Sequence, residues 1–173
     1  KRLNSQGIIQ YPSQAELPEG ALTPAQLYSA CVNSVVAISS QKSVASGGFS
    51  TVGTGSGFII TEDGYVVSNH HVVEGADRLI VTMHGGAEYE AELIGSDNIN
   101  DVAVLKIEGE AAFPAAQLGS SNALNIGDQV VAIGNPLGDL TATATVGYIS
   151  GKDRPVNTDG IIIDMLQTDA AIN

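Results

Sequence analysis

Between residues 34 and 107 short apolar runs, many of them β-branched, alternate with turn residues, the pattern of strands with one buried face. Six such runs stand at residues 34–40, 56–61, 65–68, 79–83, 88–96 and 102–107. Asp63-Gly64 joins the second run to the third as a tight turn. His84-Gly85-Gly86 joins the fourth to the fifth, which makes His84 an exposed turn residue rather than a ligand. Six antiparallel strands can close one small barrel. Glycine and serine dominate residues 39–57, so the first connection reads as a long mobile loop.

The flanks carry different signals. Residues 1–22 lack periodicity and contain Pro12 and Pro18, so they read as an irregular arm. Thr23, Pro24 and Gln26 then spell a helix start: a cap, a proline at the first helical position and a Thr-x-x-Gln capping box. Leu22 and Leu27 have staple spacing, and Leu27, Ala30 and Cys31 share one face of a short helix that packs on a barrel. Residues 23–110 therefore form the helix and first barrel, and the alanine-rich stretch 111–127, with Pro114, forms a crossing. Three more strands follow within 128–173, at 129–133, 141–150 and 161–168, separated by Asn135-Pro136, Gly138-Asp139 and a polar loop through Pro155 and Asp159-Gly160. The fold class is all-β, with one complete barrel and half of a second.

Composition narrows the function. With 173 residues, 43% of them hydrophobic, the chain can bury a core without staples. Seven basic against nineteen acidic residues give a formal charge of −12, which repels phosphate backbones and anionic membrane surfaces. Nucleic acid is excluded as a partner on that ground. Cys31 is the only cysteine, so no intramolecular disulfide can form, and it reads as a small buried hydrophobe. No apolar run reaches the roughly 18 residues that a membrane-spanning helix needs.

The candidate chemistry sits at the end of the third strand, in Tyr65-Val66-Val67-Ser68-Asn69-His70-His71-Val72-Val73. An imidazole there can move protons near neutrality, given a partner that fixes its tautomer. Asp101, at the mouth of the apolar run 102–107, is the partner expected, partly desolvated and accepting a hydrogen bond from one ring nitrogen. A metal site from His70, His71 and His84 is disfavoured, because neighbours on a strand face opposite sides and HExxH spacing is missing. Ser46, in Ala45-Ser46-Gly47-Gly48, belongs to a flexible linker, and Ser56 belongs to a strand; neither has the setting of a nucleophile. Asn157-Thr158-Asp159-Gly160 reads as a turn, since Pro155 stands where a calcium loop needs its first carboxylate. No cofactor is called for.

Read in order, GSGFIITEDGYVVSNHHVVEGAD, NDVAVLKI, VVAIGNPLG, TATVGYISG and QTDAAIN resemble the HtrA (DegP-like) family of trypsin-fold serine proteases, over residues 22–173. The family pattern T-N-x-H-V-V matches its histidine to His71, with His70 at a variable position, and its aspartate to Asp101. The resemblance implies a double β-barrel and a serine endopeptidase acting on unfolded or damaged polypeptide. It also implies an extracytoplasmic location, an anchor or signal ahead of the domain, a following PDZ domain and a trimer. The family's nucleophile and oxyanion hole belong to a G-N-S-G-G motif placed after the match to QTDAAIN, which is absent from these residues, so the 173 residues alone are expected to be inactive. The open half barrel would be covered by further strands or by another copy. The alternative reading is a non-enzymatic barrel, or pseudoprotease, that pairs an extended peptide with a sheet edge.

Overall fold

The computed structural model describes residues 2–3, 9–10, 21–134, 142–158 and 161–172. Within the N-terminal arm β1 (Arg2–Leu3) and β2 (Ile9–Gln10) pair antiparallel, so the arm is less irregular than its composition implies. Helix α1 (Pro24–Cys31) begins as the sequence dictates. Thr23 accepts from the Gln26 N–H at 3.3 Å, and the Gln26 side chain accepts from the Thr23 N–H at 2.8 Å.

Next come β3 (Val35–Ser43), β4 (Phe49–Ile59), β5 (Tyr65–Ser68), helix α2 (His70–Val73), β6 (Arg78–Met83), β7 (Glu88–Asp97) and β8 (Val102–Ile107). The six strands close into a barrel in the order β3-β4-β5-β8-β7-β6, all neighbours antiparallel. Alternate residues point inward: Val36 and Ile38 of β3, Ile59, Val66, Val81, and Ala103, Leu105 and Ile107 of β8 are sealed from solvent. Each large aliphatic so buried contributes about 1.5–3 kcal/mol. Phe113 plugs one end, edge-on to Tyr89 at 5.2 Å between ring centres, held where its N–H donates to the Glu62 carbonyl. The residues after β8 thus first complete the barrel and only then cross over. At the other end, where β5 stops and β8 starts, lie α2 and Asp101.

The first connection is not a mobile loop. The β3–β4 ladder runs out to Ser43↔Phe49, leaving residues 44–48 as a hairpin turn with Gly47 and Gly48 at φ +88° and +90°. Composition misleads here because the glycines serve close packing. A Cβ on Gly55 would lie 2.5 Å from Val72 Cγ2, and one on Gly57 would lie 2.8 Å from both Ile38 Cδ1 and the Val67 carbonyl oxygen. Gly55→Ala is therefore expected to lower stability by about 1–3 kcal/mol through overpacking against the stiff Val72. Gly53→Ala, whose Cβ would meet nothing nearer than 3.9 Å, should leave the denaturant midpoint unchanged or raise it. Equal losses would show that glycine acts here through backbone conformation rather than space.

Beyond the crossing, β9 (Gln129–Gly134), β10 (Thr143–Thr158) and β11 (Ile161–Thr168) form an antiparallel sheet in the order β11-β10-β9. The turn signals at Asn135-Pro136, Gly138-Asp139 and Asp159-Gly160, and Thr141, lie outside the described residues. Two expectations need correction. The stretch through Pro155 is strand, not loop: β10 continues past irregularities near Gly151, where Asp153 has φ +50°, and Pro155 pairs with Asp164. That outer part of β10 pairs with β11 alone, and such one-sided pairing tolerates a residue without an N–H. Asn157 and Thr158 likewise belong to the strand rather than to a turn. Ile149 is buried, whereas Val146, Tyr148, Ile162 and Leu166 remain exposed.

Helix α1 packs beside β9, where the Tyr28 hydroxyl donates to the Ala142 carbonyl at 3.3 Å, and it also reaches the closed barrel through the Tyr28 ring. No α1 residue is buried, so Cys31 is exposed rather than part of a core: about two turns of helix have too narrow a face to submerge it. His84 does sit in the β6–β7 turn but is only half exposed, because the Tyr28 ring stands edge-on to it at 6.5 Å.

Candidate active site

The apolar strand β5 ends at Asn69, which has extended backbone (φ −85°, ψ 148°) and starts the short helix α2. His70 and His71 therefore lie on a helical turn, and the expectation that strand alternation separates them is wrong. Asparagine, a favoured helix-starting residue, was the available signal. On a helix the two rings diverge by about 100°. His70 Nδ1 lies 3.0 Å from Ser96 Oγ, and its Nε2 lies 3.9 Å from Glu74 Oε1. His71 turns the other way, towards Asp101.

Asp101 stands just before β8, at φ +51°. This left-handed conformation costs an ordinary residue about 1–2 kcal/mol, with aspartate among the more tolerant. The preceding loop is tied by Asp97, whose carboxylate accepts from the N–H groups of Ile99 (2.8 Å) and Asn100 (3.2 Å) and from the Asn100 amide (2.6 Å). The Asn100 side chain, aided by those N–H groups, holds the Asp97 carboxyl below its ordinary pKa.

The Asp101 carboxylate collects three donors. Oδ1 accepts from the His71 backbone N–H at 2.9 Å, and Oδ2 meets His71 Nδ1 at 2.8 Å and Asn69 Nδ2 at 3.0 Å. A carboxylate only accepts, so Nδ1 carries the proton and Nε2 presents its lone pair. Nε2 has no hydrogen-bond partner among the described residues, and the ring is 69% exposed. This is the geometry of a general base held in the right tautomer. Asn69 was not singled out in the sequence. An apolar cleft of about 650 Å³, lined by Leu27, Val67, Val102, Val130 and Ile133, reaches Asn69 and Asp101 from between the barrel and β9.

Burial acts on Asp101 to raise its pKa, but the bonds from His71, the charge of that ring when protonated, and the Asn69 amide together hold it below the ordinary 3.8. A carboxyl with a depressed folded-state pKa adds stability that is present above its unfolded value and lost as pH falls through the folded one. The thermal midpoint should therefore fall between about pH 5 and pH 2, and Asp101→Asn should flatten part of that fall. An unaltered acid slope in the variant would remove Asp101 from the account.

A closed antiparallel barrel that presents a histidine–carboxylate pair at one end, beside an open antiparallel sheet, is the arrangement of a trypsin-like peptidase domain. The family model described as a trypsin-like peptidase domain matches residues 55–173. The "Probable periplasmic serine endoprotease DegP-like" of Chlamydia trachomatis is 52% identical over 119 residues, 69% of this chain and 24% of that protein. The protein of the same name from Rickettsia prowazekii is 46% identical over 121 residues, again 69% and 24%. The "Serine protease Do-like HtrB" of Bacillus subtilis is 45% identical over 126 residues, 68% of this chain and 28% of that protein. The chain belongs to the trypsin-like peptidase family, in its HtrA (DegP-like) branch. It spans about a quarter of the length of these curated relatives.

Proposed function

We propose that the complete protein is an extracytoplasmic serine endopeptidase that cleaves unfolded or damaged polypeptide. His71 serves as general base and then general acid, with Asp101 orienting it. The observation that carries this reading is the 2.8 Å contact of His71 Nδ1 with Asp101 Oδ2, which leaves Nε2 open to solvent. In the proposed cycle Nε2 takes the proton of the nucleophilic serine as that oxygen attacks the scissile carbonyl. It then returns the proton to the leaving amine, while Asp101 stabilises the imidazolium between the two steps. The serine and oxyanion donors are those of the family's G-N-S-G-G motif.

The arm comprises residues 1–22, the helix and histidine-bearing barrel 23–110, the crossing 111–127, whose first residues through Phe113 still close that barrel, and the second unit 128–173. Exposed Val146, Tyr148, Ile162 and Leu166 on the second unit call for a covering layer, supplied by further strands of the protein or by another copy. The relatives named as periplasmic support the location.

The complete protein should cleave an unfolded casein-type substrate and be labelled at one serine by a fluorophosphonate probe. Residues 1–173 alone should stay unlabelled, since no serine hydroxyl among the described residues is hydrogen-bonded to His71. Stoichiometric labelling of this fragment, at Ser46, Ser56 or any other serine, would overturn that part of the reading.

A further inference from the structure

We infer that Asn69 is a positioning residue of the proton-transfer pair, clamping Asp101 so that its carboxylate meets His71 in one orientation; this rests on the proposed roles of His71 and Asp101. Asn69 occupies the position that starts α2, where an asparagine ordinarily turns its side-chain oxygen back onto the helix's own N–H groups. It makes no such bond. The second N–H of the helix, that of His71, is taken instead by Asp101 Oδ1 at 2.9 Å. With the capping done by Asp101, the Asn69 amide reaches across 32 positions and donates to two atoms of that same residue, the backbone oxygen at 2.9 Å and Oδ2 at 3.0 Å.

The chemistry of this clamp is selective. Both targets are pure acceptors, so only a donor can stand between them, and an amide NH₂ supplies two N–H groups from one atom. One of these bonds holds the main chain of a residue in the left-handed region, and the other holds its carboxylate. Together they couple the loop conformation to the side-chain direction, so Oδ2 stays at 2.8 Å from the ring. Serine and aspartate start helices equally well, and threonine nearly so. None of them can supply this pair of donors: the hydroxyls are short and carry one hydrogen, and an aspartate would set a second carboxylate against the first.

The test uses the complete protein, a peptide substrate and three variants. Asn69→Ser keeps a helix-starting residue, and Asn69→Asp keeps the size while replacing the donor by a charge. Misplacing a catalytic group by about 1 Å can reduce turnover about 100-fold, and a fall of that order in kcat with KM nearly constant is expected for both. In Asn69→Asp the added negative charge should also move the acid limb of the kcat/KM profile to higher pH, because it stabilises the His71 imidazolium. That shift reports the added charge whatever the wild-type asparagine does, so the readouts that separate positioning from a merely structural role are those of Asn69→Ser, kcat at constant KM and the proton resonance. The low-field proton resonance of the His71–Asp101 hydrogen bond should weaken or shift in both variants and can be followed even where activity is low.

His71→Ala separates the two levels of inference. If it retains activity, the catalytic reading itself falls. If it abolishes activity while Asn69→Ser and Asn69→Asp keep the wild-type kcat and proton resonance, the positioning role alone is refuted. Should Asn69→Asp fail to fold, the kcat/KM split and the proton resonance of Asn69→Ser decide.

Discussion

In the complete protein His71→Ala is expected to lower peptide-bond hydrolysis by about 10⁶-fold, the order seen when a triad loses its base. His70→Ala should change it by less than about threefold. The asymmetry follows from where the rings go. His71 meets Asp101 and presents a second nitrogen to solvent, whereas His70 is turned to Ser96 and Glu74. Without the imidazole nothing accepts the nucleophile's proton near neutrality, and only substrate binding and oxyanion stabilisation remain. Steady-state cleavage of a peptide by the two purified variants checks this. Comparable losses, or a larger loss for His70→Ala, would assign the base wrongly.

Asp101→Asn should reduce turnover by about 10⁴-fold, the magnitude attached to a base left in the wrong tautomer. Three donors converge on the two carboxylate oxygens: the His71 N–H, His71 Nδ1 and the Asn69 amide. An asparagine offers one oxygen and one NH₂, so at least one donor must face another donor. Turning the oxygen to the backbone N–H leaves the NH₂ against the ring, which then binds best with Nδ1 unprotonated and the proton on Nε2. That nitrogen can no longer accept. Turnover measured with folding verified by thermal denaturation tests this, and a loss under tenfold would mean that Asp101 does not set the tautomer.

The barrel was legible because its strands are short, apolar in alternation and punctuated by turns, and burial on one face enforces that pattern. His71 and Asp101 were legible through flanking residues that resemble a family, not through their spacing of 30 positions. What escaped was whatever depends on packing between segments. Gly55 and Gly57 look like linker residues until Val72 and Ile38 are seen pressing on them. Pro155 looks like a breaker until its strand proves to have one neighbour there. Cys31 looks like core because cysteine usually is, but its helix is too short to bury a face. The helical turn at His70–Val73 and the turn of Asn69 towards Asp101 were hidden for a related reason: a starter residue was visible, but not the distant carboxylate that took over its capping bond.

The order in which the barrel closes has a kinetic meaning. β3–β4, β4–β5, β6–β7 and β7–β8 are pairings of strands consecutive in sequence, which a chain can make early because the loops to be closed are short. β5–β8 and β3–β6 are the two long-range seams, and they must come later. His71 follows β5 and Asp101 precedes β8, so the pair straddles one of these seams at the Ser68↔Ala103 end. His71 and Asp101 are therefore brought together by a late seam rather than by a hairpin, and a chain whose hairpins have formed but whose β5–β8 seam is still open holds the imidazole and the carboxylate apart.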